Sequence, residues 1–266
     1  MDSPLKYIVG FPAKHAYVDD WFLMSSPIPV ILIWISYLLF VLKVGPAYMK
    51  NREAFKLFNL LKVYNLFQVA FSLVQFLMAW ELVKPAGYIG ITCDEDEQSQ
   101  RRLNRFIYIY FWAKFSELAD TVLFVLRKKQ NQVSFLHVYH HSITLLATWY
   151  TLKIEPVQAT AFLAYINSFV HVVMYAYYGL SAFPALTKYL WWKRYITAMQ
   201  VFQFVCVIIH AVGNYIYSDC APSYILLFTI IINEALFIYL FGEFFVRSYI
   251  TPKRKADKAE NAVKAD

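Results

Sequence analysis

Three of the six histidines fall within five residues, His137-Val138-Tyr139-His140-His141. Imidazoles crowded in this way can bind a metal, relay protons, or act as nucleophile and base on an acyl group. On a helix the three span about a 100° arc, so they share one face. Other polar residues lie in equally apolar surroundings. Lys114, Glu117, Asp120 and Thr121 come upstream; Lys114, Glu117 and Thr121 share a face, with Asp120 on its flank. An ion pair between Lys114 and one carboxylate leaves the second acid unexplained. Downstream, Asn167, His171, Met174 and Tyr178 form a stripe, followed by Thr197, Gln200 and Gln203, then Asn233 and Glu234. His210 and Asn214, four residues apart, can bond to each other and are left out of the site.

The elements that hold these residues must be membrane helices. The chain is 59% hydrophobic and 16% charged, with a mean hydropathy of +0.43. A soluble domain carries roughly a quarter charged residues. Apolar runs of about 20 residues recur along the chain. Seven spans are expected, at about Ile28–Val44, Leu60–Leu82, Phe106–Leu126, Phe135–Leu152, Val157–Tyr178, Tyr195–Ile216 and Ser223–Val246. Backbone groups in lipid must pair within the segment, and the runs are too long and too evenly apolar for barrel strands. The expected fold is an all-α membrane protein: one seven-helix transmembrane domain over residues 1–250 and a disordered cytosolic tail over 251–266. The first 27 residues, with Asp2, Asp19 and Asp20, do not read as a cleaved signal peptide. The net charge of +7 lies in loops and does not point to nucleic acid.

Lys and Arg placement orients the spans. Lys43, Lys50, Arg52, Lys56, Arg127 to Lys129, Lys188, Lys193, Arg194 and the tail put 16 basic residues on one side; Lys6, Lys14, Lys84, Arg101, Arg102, Arg105 and Lys153 put 7 on the other. The richer side is cytosolic, which places the amino terminus in the lumen and the carboxyl terminus in the cytosol. Cys93 and Cys220 then fall in non-cytosolic loops, where a disulfide is permitted. A Cys93–Cys220 bond is expected, with two unrelated thiols as the alternative. Cys206 reads as a packing residue within the sixth span.

Counted from the cytosolic ends of their spans, Asp120, His140, His171, Gln200 and Gln203 all lie roughly 8–12 Å deep. Four antiparallel helices thus place polar groups in one layer. Arg127, Lys128, Lys129, Lys193, Arg194 and Arg254 crowd the rim above it. Contact with anionic lipid headgroups explains most of that crowding, and the same charges suit a polyanionic substrate head. Below the layer the spans are rich in Phe, Leu and Ile. The implied substrate has an anionic head, a reacting centre about 10 Å down and a long apolar tail, as an acyl-CoA has.

These residues resemble the ELO family of very-long-chain fatty acid elongases, the 3-oxoacyl-CoA synthases of the endoplasmic reticulum. Lys114-x-x-Glu117-x-x-Asp120-Thr121, Gln132-Val133-x-Phe135-Leu136-His137-x-x-His140-His141, Asn167-x-x-x-His171-x-x-Met174-Tyr175-x-Tyr177-Tyr178 and Thr197-x-x-Gln200-x-x-Gln203-Phe204 match family motifs in order. Gly45-Pro46 with Met49 and Arg52, and Tyr64-Asn65, resemble the family's first loop and second span. Leu190-Trp191-Trp192-Lys193 is similar to animal members acting on saturated and monounsaturated chains.

The resemblance implies seven helices, with spans two to seven forming a barrel around a closed acyl tunnel. It also implies malonyl-CoA as two-carbon donor and no metal or other cofactor. His140 would be the nucleophile that takes the acyl group as an acyl-imidazole, and His171 would face it. His137 and His141 would position reacting groups or assist decarboxylation, and Asp120 would orient a histidine. Lys114, Arg127, Lys129, Gln132, His137, Lys193, Thr197, Gln200 and Arg254 would contact the CoA ester. Expected partners are acyl-CoA, malonyl-CoA, membrane lipid and oligomers of this chain or with other enzymes of the elongation cycle. The end of the chain departs from the family's dilysine retention signals, since only Lys264 is in place. Residence in the endoplasmic reticulum is therefore inferred from the activity.

Two other function classes fit parts of the pattern. A membrane di-iron desaturase or hydroxylase also uses His-x-x-His-His boxes, but needs about eight imidazole ligands; this chain has six histidines, and His15 lies outside the spans. A lipid or proton transporter would need polar access from both faces. Here the polar layer lies near one face, and the other half is apolar apart from His210 and Asn214.

Overall fold

The computed structural model describes residues 12–86 and 96–251, and contains no strand among the described residues. Its long helices are α1 (Pro27–Met49), α2 (Phe58–Ala86), α3 (Glu97–Leu126), α4 (Phe135–Ile154), α5 (Ala159–Ser181), α6 (Lys193–Tyr217) and α7 (Tyr224–Phe245, running on through a wide turn to Ile250). Five of them, α1, α2, α5, α6 and α7, are long and apolar enough to cross a membrane. The chain is therefore a membrane protein with multiple helical spans. The two that fall short are α3, with Lys114, Glu117 and Asp120 in its body, and α4, which opens on the histidines. Sequence expectation assigned both as spans; their shortfall in apolarity comes from the same residues that suggest chemistry.

Helix starts follow local capping. The Ser26, Ser134 and Ser223 hydroxyls accept hydrogen bonds from the backbone N–H groups of Ile28, His137 and Leu226, at 3.3, 3.3 and 3.2 Å. At α7 the cap is doubled, because Glu155 accepts from Ser223 N at 2.5 Å and from Ser223 Oγ at 2.6 Å. α3 begins nine residues ahead of its expected start. Asp96 accepts from Ser99 N at 3.1 Å, and Glu97 pairs with Arg101 at 2.8 Å, so a charged, exposed stretch extends the apolar run as helix.

Within α1 a wide π-type turn at Phe40–Val44 comes immediately before Gly45-Pro46. Pro46 offers no N–H to the preceding turn, which widens to compensate. Gly45 is required there. A Cβ at that position would meet Val125 Cγ1 at 2.7 Å and the Phe40 carbonyl at 2.8 Å, so α1 and α3 touch at this point.

Packing is most extensive between α2 and α5, then between α6 and α7, α3 and α4, and α5 and α6; α2 also meets α3, and α4 meets α7. α1 lies against α3 and α4. The segment before α1 folds onto the end of the bundle where α3 begins and α4 ends. Val18 and Met24 are fully buried there. Trp149 Nε1 donates to the Leu23 carbonyl at 2.9 Å, and Asn104 Nδ2 donates to Tyr17 OH at 2.6 Å. Lys153, expected in a loop, is instead fully buried and ion-paired with Asp19. Cys93, Arg254 and the tail from residue 252 lie outside the described residues, as does the expected Cys93–Cys220 bond.

Candidate active site

α3 supplies the polar spine. Tyr110, Lys114, Glu117 and Thr121 recur every three or four residues and are all buried. Lys114 Nζ donates to Glu117 Oε1 at 2.9 Å and Oε2 at 3.2 Å, and to Asn167 Oδ1 on α5 at 2.7 Å. Tyr110 OH donates to the same Asn167 oxygen at 2.8 Å. His171 Nδ1 lies 3.1 Å from Glu117 Oε1. The result is a chain of contacts, Tyr110–Asn167–Lys114–Glu117–His171, bridging two helices. Lys114 and Glu117 are 1% and 2% exposed, so both charges are removed from water and each depends on the other.

The expected pairing of acids and histidines differs in one respect. Glu117, not Asp120, lies against a histidine. Asp120 Oδ2 accepts from Tyr175 OH at 2.6 Å. The reason is axial register: both acids meet α5, Glu117 level with His171 and Asp120, about one turn further along α3, level with Tyr175, about one turn further along α5. The next residue, Thr121, pairs its hydroxyl with Tyr37 OH of α1 at 2.8 Å. Beside these, Gln68 Nε2 on α2 donates to Tyr64 OH at 2.8 Å and to Ser116 Oγ at 3.2 Å.

The histidine box forms the first turns of α4. The His137 and His141 rings meet at 4.4 Å between centroids, and His140 meets His141 at 5.2 Å. His140 also meets Phe237 of α7 at 5.1 Å, and His137 meets Phe124 of α3 at 5.1 Å. His137 Nε2 and His141 Nδ1 are buried with no hydrogen-bond partner in the protein. Tyr139, between the histidines, donates its OH to Asn233 Oδ1 on α7 at 2.7 Å.

The remaining expected residues are dispersed. Gln200 Nε2 donates to Met174 Sδ at 3.5 Å, Thr197 is buried, and Gln203 Oε1 is buried without a partner. Arg127 closes α3, while Lys129, Gln132 and Lys193 are exposed at the end where α4 and α6 begin. Arg127, Lys129 and Lys193 form no ion pair with another described residue. His210 bonds to Asn214 and stacks on Phe162 at 3.8 Å between centroids, a structural role.

Further along α4 from the histidines lies a cavity of about 110 Å³ between α3, α4, α5 and α7. Its wall includes Tyr110, Ile143, Thr144, Ala147, Thr148, Thr151, Leu163, Leu226, Thr229, Asn233, Glu234 and Phe237. Phe237 joins it to His140, Thr144 donates to the His140 carbonyl at 2.8 Å, and Tyr110 joins it to the Lys114 chain. Sequence reasoning missed Tyr110 as a site residue. Its signal was its place four residues before Lys114 on the same face.

A family model described as the GNS1/SUR4 family, ELO, matches residues 22–257. The chain is 40% identical over 252 residues to very long chain fatty acid elongase 7 of Rattus norvegicus, covering 92% of this chain and 89% of that protein. It is 41% identical over 255 residues to elongase 1 of Homo sapiens, covering 91% and 89%, and 42% identical over 256 residues to human elongase 4, covering 94% and 81%.

Proposed function

Because the chain belongs to the ELO, or GNS1/SUR4, family, we propose that it is a very-long-chain 3-oxoacyl-CoA synthase working through an acyl-imidazole on His140. That it is an enzyme of fatty acid elongation follows from the family. The observation that carries the finer reading is the cavity, whose wall touches the histidine box through Phe237 and the Lys114–Glu117–His171 chain through Tyr110.

The reaction runs in two halves. A His140 ring nitrogen attacks the thioester carbonyl of an acyl-CoA whose tail fills the cavity. The C–S bond breaks, and the departing CoA takes up the proton lost from the imidazole. Malonyl-CoA then loses CO2, and the electron pair of the broken C–C bond becomes an enolate. The enolate attacks the acyl-imidazole carbonyl, a 3-oxoacyl-CoA leaves, and the imidazole regains a proton. Imidazole suits the first half because it is an uncharged nucleophile and a good leaving group once acylated. The buried Lys114–Glu117 pair holds His171 in one orientation, and the unpaired nitrogens of His137 and His141 would bond the reacting carbonyls.

The same reading makes all seven long helices transmembrane, in one domain. The neighbour order α2–α5–α6–α7–α4–α3 and back to α2, with α1 outside, supports a six-helix barrel around the acyl tunnel. The basic residues at the end where α4 and α6 begin argue for a cytosolic end with CoA above it, and Arg127, Lys129, Gln132 and Lys193 would lie at the mouth. The protein then resides in the endoplasmic reticulum membrane, with a lumenal amino terminus and a Cys93–Cys220 bond there. The deciding experiment is incubation of the purified protein with radiolabelled malonyl-CoA and a panel of acyl-CoAs. Two-carbon extension is expected; no label in any 3-oxoacyl product overturns the reading.

A further inference from the structure

One carboxyl lies in the cavity wall and has no part in the chemistry above. Glu234 on α7 is 9% exposed, and its Oε2 is buried with no hydrogen-bond partner in the protein. An unpaired polar oxygen in an apolar wall costs about 1–3 kcal/mol, so its presence calls for a partner that arrives with the ligand. A saturated alkyl chain offers none.

The surroundings define what that partner must be. The hydroxyls of Thr144, Thr148 and Thr229, in the same wall, each donate to a carbonyl of their own helix, at 2.8, 2.7 and 2.7 Å. Their protons are used, so these oxygens can only accept. A carboxyl group in its neutral form can both donate and accept. The complement of this set is a group that donates to a threonine oxygen and accepts from the carboxyl, which is what an alcohol does. The position along the tunnel follows from helix register. Glu234 is three residues from Phe237, which touches His140, so it lies about 4.5 Å from that level along the α7 axis. That is the end of the cavity nearest the histidines.

We propose that Glu234 is a specificity-determining residue that receives a hydroxyl group carried on the acyl chain close to its thioester end, so that the enzyme favours hydroxyacyl-CoA over the plain chain of equal length. The inference rests on the elongase reading above, and its test separates the two. A set of acyl-CoAs of one length, with a hydroxyl stepped along the chain, is assayed against radiolabelled malonyl-CoA, and kcat/KM is compared with the unsubstituted chain. In the wild type the ratio is expected to peak with the hydroxyl near the thioester and to fall as it moves away. Glu234→Leu is expected to lower the peak ratio about tenfold or more, and Glu234→Gln, which keeps hydrogen-bonding groups, to lower it less. A flat profile in the wild type, or a ratio unchanged in Glu234→Leu, overturns the role of Glu234 while extension of plain chains still stands. If Glu234→Leu does not fold, the wild-type profile and Glu234→Gln decide alone. Absence of extension from every acyl-CoA sinks the elongase reading instead.

Discussion

At the scale of single residues, the site is a set of mutually dependent polar groups in a dry interior. The Lys114–Glu117 pair shows this most clearly, since each charge is 1–2% exposed. Glu117→Gln is expected to cost about 3–5 kcal/mol, because it leaves the ammonium buried without its counter-charge. The double variant Lys114→Met, Glu117→Leu should cost much less in stability while still removing activity. Thermal unfolding in detergent measures both, and a single variant as stable as wild type would show that the pair is not desolvated in the working protein. His140 behaves differently. Its ring meets His141 edge-on and Phe237 at a tilt, so His140→Ala should retain the fold and lower condensation by on the order of 10³-fold or more. Malonyl incorporation by that variant near the wild-type rate would remove His140 as nucleophile.

At the scale of elements, two close contacts hold helices that local propensity cannot place. The first is Gly45 against Val125 and the Phe40 carbonyl. Gly45→Ala must push against backbone, which cannot turn aside as a side chain can. A loss of about 1–3 kcal/mol is expected, read as a lower unfolding midpoint. The second is the segment before α1, tied to α4 by Asp19–Lys153 and by Trp149 to Leu23. Lys153→Met is expected to be tolerated better than Asp19→Ala, since the latter strands a fully buried ammonium. Equal unfolding midpoints for the two variants would contradict that ordering. Both contacts join residues far apart in sequence, and although Gly45-Pro46 stands out in the sequence, its partner Val125 does not.

At the scale of the whole molecule, the cavity is where the helices act together. Its wall takes residues from α3, α4, α5 and α7, and Ala147 lies about two turns beyond His140 along α4. Ala147→Phe should block the cavity below the reacting centre and shift extension toward shorter acyl chains. Product lengths from a mixed acyl-CoA panel read this directly, and an unchanged length distribution would place the acyl tail elsewhere. The histidine face, the Lys114–Glu117–Asp120 run and the Asn167–His171 stripe were all legible in the sequence. Each repeats at helical spacing, and polar groups in an apolar run stand out. Which acid meets which histidine was not legible: Glu117 and Asp120 both contact α5, and how far α3 is slid along α5 decided that Glu117 meets His171 and Asp120 meets Tyr175. Lys153 was misplaced for a related reason. A lysine at a helix end reads as solvated until a distant aspartate is seen to cover it.

The sequence alone determined that this is a helical membrane protein with its buried polar residues gathered on a few helix faces, because hydrophobic length and 3.6-residue periodicity are local properties of a chain. It also determined the family, because the motifs occur in order. The tertiary structure decided the pairing of Glu117 with His171, the burial of Lys153 on Asp19, the contact at Gly45 and the unpaired carboxyl of Glu234 in the cavity wall. Those depend on how far each helix is rotated and slid against its neighbours. That quantity is set by packing between residues tens of positions apart, and no local pattern carries it.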